Sequence, residues 1–224
     1  VQKQQFGMLE IVSRAVREMA EGELLQMEKA RRLDIREEVY FDIIRQKTAS
    51  LIAAACSAGA ASTTSDPAIV EKIRLFGEKT GIAFQIRDDL FDFGTDDVGK
   101  PLGIDIKEKK MTLPLIYTLA HCDKETRRRI LYIVKNESDK KEKVEEVIHI
   151  VRNGGGIEYA TEAMLRYRQE AFDLLEEVAP DSDARTALRD LVSYVTDRKK
   201  YNILKSFPRC RAFPADRADF PVVE

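Results

Sequence analysis

The sequence predicts an all-α protein, and three observations carry that expectation. Apolar residues recur at three- and four-residue spacing over long stretches, the period of a helix buried along one side. No segment sustains the strict alternation of a half-buried strand. Breakers are sparse, with 11 glycines and 7 prolines in 224 residues.

Taken in order, Phe6 to Arg32 sets Met8, Ile11, Val12, Ala15 and Met19 at helical spacing among charges. Asp34 followed by Glu37 resembles a capping box, opening a second helix to about Ala61. Ser62-Thr63-Thr64-Ser65 reads as a loop. Asp66 and Pro67 supply an N-cap and an N1 proline, and that third helix runs to Phe93. Residues 94–110 read as a long polar loop, a length that is usually functional. Helices follow at about 111–121, 124–136, 139–152, 157–178 and 182–206. Asn153-Gly154-Gly155-Gly156 lacks a preceding strand and a following G-K-[ST], so it reads as a helix break and not a phosphate loop. Residues 1–206 form one expected domain. Residues 207–224 form an irregular tail in which Pro208, Pro214 and Pro221 accompany Phe207, Phe213 and Phe220.

Totals exclude several classes. Lys+Arg is 37 against 39 Asp+Glu, a net charge of −2 that provides no basic field for nucleic acid. Cys56, Cys122 and Cys210 are odd in number and widely spaced, so neither a zinc site nor a disulfide framework is indicated, and a reducing cytoplasm is expected. The longest apolar run, 49–61, is too short to span a bilayer. The chain begins at Val1, which suits a processed or partial protein.

The chemistry concentrates in Gln85-Ile86-Arg87-Asp88-Asp89-Leu90-Phe91-Asp92. At about 100° per residue, Gln85, Asp88, Asp89 and Asp92 share an arc of roughly 100°. They lie in the last turns of a helix, where like charges at i,i+3 and i,i+4 repel by a few tenths of a kcal/mol. The helix dipole there opposes each carboxylate by about 0.3–1 kcal/mol. A local rule broken so densely is expected where function compensates, and a bound cation is the simplest compensation. Open carboxylate sites suit Mg²⁺, which takes its remaining ligands from phosphates and water. Phosphates need cations in turn, and Lys47 beside Thr48, Lys100 and Lys110 are the candidates. An ordinary solvated acidic face and ordinary surface lysines are the alternative reading.

These residues resemble the trans-isoprenyl diphosphate synthases, the polyprenyl synthetase family. The likeness runs from Gly81 to Asp92 and on through Gly99-Lys100-Pro101, Gly103, Asp105, Lys110, Thr112, Leu113 and Pro114. It also includes Gly22-Glu23-Leu24-Leu25-Gln26, Tyr40 to Leu51, Asn153 to Ala160, and Tyr194 to Lys200, so it covers about residues 5–200. It is closest in flavour to bacterial octaprenyl diphosphate synthase. The resemblance implies a helical bundle around a central cavity, usually a homodimer. It implies Mg²⁺-dependent condensation of isopentenyl diphosphate with an allylic diphosphate such as farnesyl diphosphate. It places Asp88, Asp89 and Asp92 on the metal and makes Asp88, Asp89 and Lys47 catalytic. Lys47, Thr48, Gln85, Lys100 and Lys110 would bind the diphosphate.

The family's first aspartate-rich motif and its N-terminal helices have no counterpart here. The chain therefore resembles the C-terminal two-thirds of a synthase, and little or no prenyl transfer is expected of it alone. A non-catalytic partner or truncated paralogue, and a terpene cyclase, are the competing readings. The retained aspartates and lysines argue against the former, and three aspartates followed by a Gly-Lys loop argue against the latter.

Overall fold

The computed structural model describes residues 6–30, 33, 35–94 and 102–198. All regular structure among them is helical. The tail beyond 206 lies outside these residues, as does Asp34; the expected capping box is nevertheless not formed, because Arg36 is the N-cap of the helix that starts at Glu37 and no side chain caps it.

Helix α1 spans Phe6–Ala30. Helix α2, Glu37–Ile44, passes through a π-helical turn at Arg45–Ala49 into α3, Ser50–Ala61, so the single expected helix carries a one-turn defect. Helix α4, Pro67–Phe91, starts as its sequence dictates: the Asp66 side chain accepts from the Ala68 amide and Pro67 occupies the first turn. The expected structureless loop contains a short helix, α5, at Ile104–Lys107, entered through Gly103 at φ 73°, a conformation glycine adopts without strain. Then come α6 (Leu113–His121), α7 (Lys124–Asn136), α8 (Lys141–Asn153), α9 (Gly156–Val178) and α10 (Asp183–Asp197).

Helix α4 is the axis of the bundle, packed against α3 and the π turn on one side and α9 on the other, with α6 and α10 beside it. Its glycines set the closest approach. A Cβ on Gly81 would lie 2.6 Å from Ala49 Cα. One turn later Gln85 faces Thr48, and one turn beyond that stand Asp88 and Asp89. The main core joins Ile82, Ala83, Ile86 and Leu90 of α4 to Ile43, Ile44, Leu113, Ile130 and Val147. A second cluster ties Phe76 to Phe172, Leu175 and Val192 of α9 and α10.

Phe6, Leu9, Val12, Val16, Leu24 and Met27 form an exposed apolar stripe along α1, with Leu51 of α3 also exposed. No described helix is long and apolar enough to cross a membrane. Cys56 and Cys122 are free thiols.

Candidate active site

A cavity of about 150 Å³ opens where α2, the π turn, the end of α4 and the α5–α6 connection meet. The structure brings Lys47, Thr48, Gln85, Asp88, Asp89 and Lys110 together in its lining. Tyr40 and Asp105 line it too. Lys100 lies outside the described residues.

Neighbours Lys47 and Thr48 both lie in the π turn and both line this cavity. In an α-helix they diverge by about 100°; the widened turn re-registers the helix, as such turns commonly do at functional sites. Helix α1 crosses close over it. A Cβ on Gly22 would sit 2.7 Å from the Lys47 amide nitrogen, so only glycine permits the approach. That proximity lets Glu23 and Gln26 hold the Lys47 ammonium at 2.6 and 2.7 Å.

A hydrogen-bonded chain then crosses the floor. Thr48 Oγ1 donates to Gln85 Oε1 at 2.9 Å, and Gln85 Nε2 donates to Asp89 Oδ1 at 2.9 Å. Tyr40 OH donates to Asp89 Oδ2 at 2.8 Å. The network sets the Gln85 amide orientation, because the reverse would turn its oxygen toward a carboxylate. Burial pushes the Asp89 carboxyl up to about 7. The Asp105 and Asp88 carboxylates add to that rise, and the Gln85 and Tyr40 hydrogen bonds oppose it. Burial, then the Asp89 charge, raises the Tyr40 phenol well above its usual range. Burial would lower Lys110, but pairing with Glu108 at 2.5 Å and Asp105 at 3.4 Å outweighs it and raises the ammonium.

Asp92 stands apart from the cavity lining. It is fully buried at the end of α4, where Oδ2 accepts from the Asp105 amide at 3.1 Å and its carbonyl from the Gly103 amide at 3.2 Å. It thereby anchors α5 and delivers Asp105 to the cavity. Among the described residues no three Asp, Glu, His or Cys side chains form a ready metal cage. Three cavity carboxylates, Asp88, Asp89 and Asp105, beside two lysines do fit Mg²⁺ shared with a phosphate ligand, which needs only one or two protein carboxylates.

Protein groups also compensate the acidic helix end. Arg152 Nε donates to the Phe93 carbonyl at 2.7 Å and Nη2 to the Gly94 carbonyl, placing a cation at the negative pole. Arg198 pairs with Asp88. Buried Ile86, Leu90, Phe91 and Phe93 surround the aspartates. At about 1.5–3 kcal/mol each they contribute roughly 6–12 kcal/mol, far more than the dipole and repulsion penalties of about 1 kcal/mol or less apiece. The fold is therefore expected to form without the ion. Circular dichroism in excess EDTA should retain the helical signal, and its collapse on chelation would make the metal structural.

Tyr40, Asp105, Arg152 and Arg198 carry no role in the sequence reading. Three of them lie in the stretches that bear the family resemblance; Arg152 has no local signal.

Comparison with known proteins agrees with the fold. The polyprenyl synthetase family model matches residues 2–151. A short chain isoprenyl diphosphate synthase from Methanothermobacter thermautotrophicus is 38% identical over 183 residues, 81% of this chain and 55% of its own length. The geranylgeranyl pyrophosphate synthase of Bacteroides thetaiotaomicron superposes with a TM-score of 0.80 at 40% identity, over 88% of this chain and 65% of that one. A Caulobacter crescentus CB15 polyprenyl synthase, complexed with calcium and isoprenyl diphosphate, gives 0.81 at 32%, over 88% and 61%. The chain thus spans little more than half the length of the Methanothermobacter relative. An all-helical architecture, a shared core and this run of matches converge on one assignment: the chain belongs to the polyprenyl synthetase family.

Proposed function

We propose that the protein carrying this chain is a trans-prenyl diphosphate synthase, joining isopentenyl diphosphate to an allylic diphosphate such as farnesyl diphosphate. One observation supports this above others: carboxylates (Asp88, Asp89, Asp105) and cations (Lys47, Lys110) line one cavity together with apolar side chains, among them Ile35, Ile43, Ile44 and Met111. Such a lining suits a metal-bound diphosphate head with the first carbons of a hydrocarbon tail against the apolar side chains.

In this reading Lys47 and Lys110 bind diphosphate oxygens, with Lys100 as a third cation. Thr48 and Gln85 fix the head group's orientation. Asp88 and Asp89 hold Mg²⁺, and Asp92 acts from behind by anchoring Asp105. When bound, Mg²⁺ supplies charge stabilisation on the departing diphosphate. The allylic C–O bond breaks, the diphosphate leaves with the electron pair, and the isopentenyl double bond attacks the allylic carbon. A proton is then lost to restore the alkene. The apolar wall excludes the water that would quench the cation. An octaprenyl-like product is the finer part of the proposal and rests on the sequence likeness. A homodimer seated on the α1 stripe accounts for its exposed apolar residues. Leu24→Glu should then shift sedimentation toward monomer, and unchanged sedimentation would move the interface elsewhere. A cytoplasmic location is proposed from the unpaired cysteine usage.

The test supplies Mg²⁺, farnesyl diphosphate and isopentenyl diphosphate to this chain and to one extended at its N-terminus, and chromatographs the products. A prenyl ladder from the extended chain alone is expected. A ladder from neither overturns the synthase reading and favours a non-catalytic partner. A ladder from the 224 residues alone overturns the expected inactivity.

A further inference from the structure

We propose that Arg198 is a positioning residue of this site, acting through Asp88; the inference rests on the cavity reading above. Arg198 lies 110 positions from Asp88 in sequence, just past the end of α10. Its side chain is only 4% exposed, and Nη2 donates to Asp88 Oδ1. Its guanidinium lies 4.5 Å from the ring centre of Phe84 and 5.2 Å from that of Phe91, both on α4. Arg198 is absent from the cavity lining, whereas Asp88 is part of it. The cation therefore stands behind the carboxylate.

Two physical points give this arrangement a role beyond docking. First, α10 is already tied to α4 at this point without the side chain. The Arg198 carbonyl accepts from Arg87 Nε at 3.0 Å and Nη2 at 2.5 Å, and Val192 is buried in the α4–α9–α10 cluster. Burying a guanidinium as well is costly unless its partner compensates it. Second, a planar fork stacked on aromatic faces is a rigid donor, which an ammonium could not reproduce. Held by such a donor, Asp88 keeps one orientation toward the cavity before any ligand arrives. Groups that orient metal-binding side chains from behind typically change affinity by about 10–100-fold when removed.

The experiment measures binding of inorganic pyrophosphate with Mg²⁺ by calorimetry in the full-length protein. It compares the wild type with Arg198→Gln, Asp88→Asn and the double variant, each checked for native helicity. Arg198→Gln should weaken binding about tenfold or more alone. In the Asp88→Asn background it should add less than about twofold, because its route is already broken. Arg198→Lys, which keeps the charge and loses the fork, should fall between, and it carries the same comparison if Arg198→Gln does not fold. A loss of equal size in both backgrounds identifies a structural role and overturns the assignment. No loss in the native background does the same. If Asp88→Asn itself leaves the affinity unchanged, or the wild type does not bind, the site reading fails and the inference with it. That outcome is distinct from failure of Arg198 alone.

Discussion

Asp88→Asn and Asp89→Asn in the full-length protein are expected to lower turnover by two or more orders of magnitude while leaving the fold intact. The magnitude follows from removing charge that faces a departing diphosphate in a partly water-excluded site; single electrostatic groups of this kind typically contribute about 10²–10³ in rate. Stability should behave in the opposite sense at Asp89. Burial holds this carboxyl at about 7 in the fold, above its ordinary value. The group's favourable contribution is therefore fully present below about pH 4, declines as pH rises, and is gone above about pH 7. Thermal melts at pH 8 should accordingly show Asp89→Asn no less stable than the wild type by more than about 1 kcal/mol, the cost of one disturbed hydrogen bond. An active and destabilised variant would place Asp89 among the structural residues. Function that keeps a destabilising charge in place is the usual trade at a working site.

What could be read from sequence divides along physical lines. Period and capping placed α1, α4, α7 and α9 to within a residue or two, because those signals are local: Asp66-Pro67 starts α4 wherever the rest of the chain goes. The α5 turn was illegible because its stability comes from Asp92 and Gly103, contacts made across the loop and not along it. The π turn was equally hidden, since no residue pattern in Arg45-Gln46-Lys47-Thr48-Ala49 distinguishes it from α-helix. At the site, angular arithmetic puts four polar residues on one face, and three of them, Gln85, Asp88 and Asp89, line the cavity. Asp92, still in helical backbone as the C-cap, is engaged by the Asp105 and Gly103 amides, tertiary contacts that no period encodes. Charge crowding alone also overstates the need for an ion. Arg152 and Arg198, 58 and 110 positions away, neutralise part of that crowding, and no single-sequence periodicity predicts pairings so distant.

Gly81→Val is expected to be strongly damaging although it lies outside the chemistry. The added Cβ would stand 2.6 Å from Ala49 Cα and 2.8 Å from Ala49 Cβ. Those are parts of a packed helix, with no flexible side chain that could swing aside. Overpacking against backbone of this kind costs about 3 kcal/mol or more, equivalent to a fall in Tm of roughly 6–12 °C at this size. The damage should also reach the site, because separating α4 from the π turn pulls Gln85 from Thr48 and loosens the Asp89 network that begins there. Gly59→Ala provides the opposing control. Gly59 sits exposed in α3 with nothing within 4 Å of its would-be Cβ. Alanine there should raise stability by about 0.5–1 kcal/mol through helix propensity. A melt in which both substitutions move Tm the same way would mean that α3 and α4 are not held at the spacing described. The placement of Thr48 over Gln85, and with it the floor of the cavity, would then have to be redrawn.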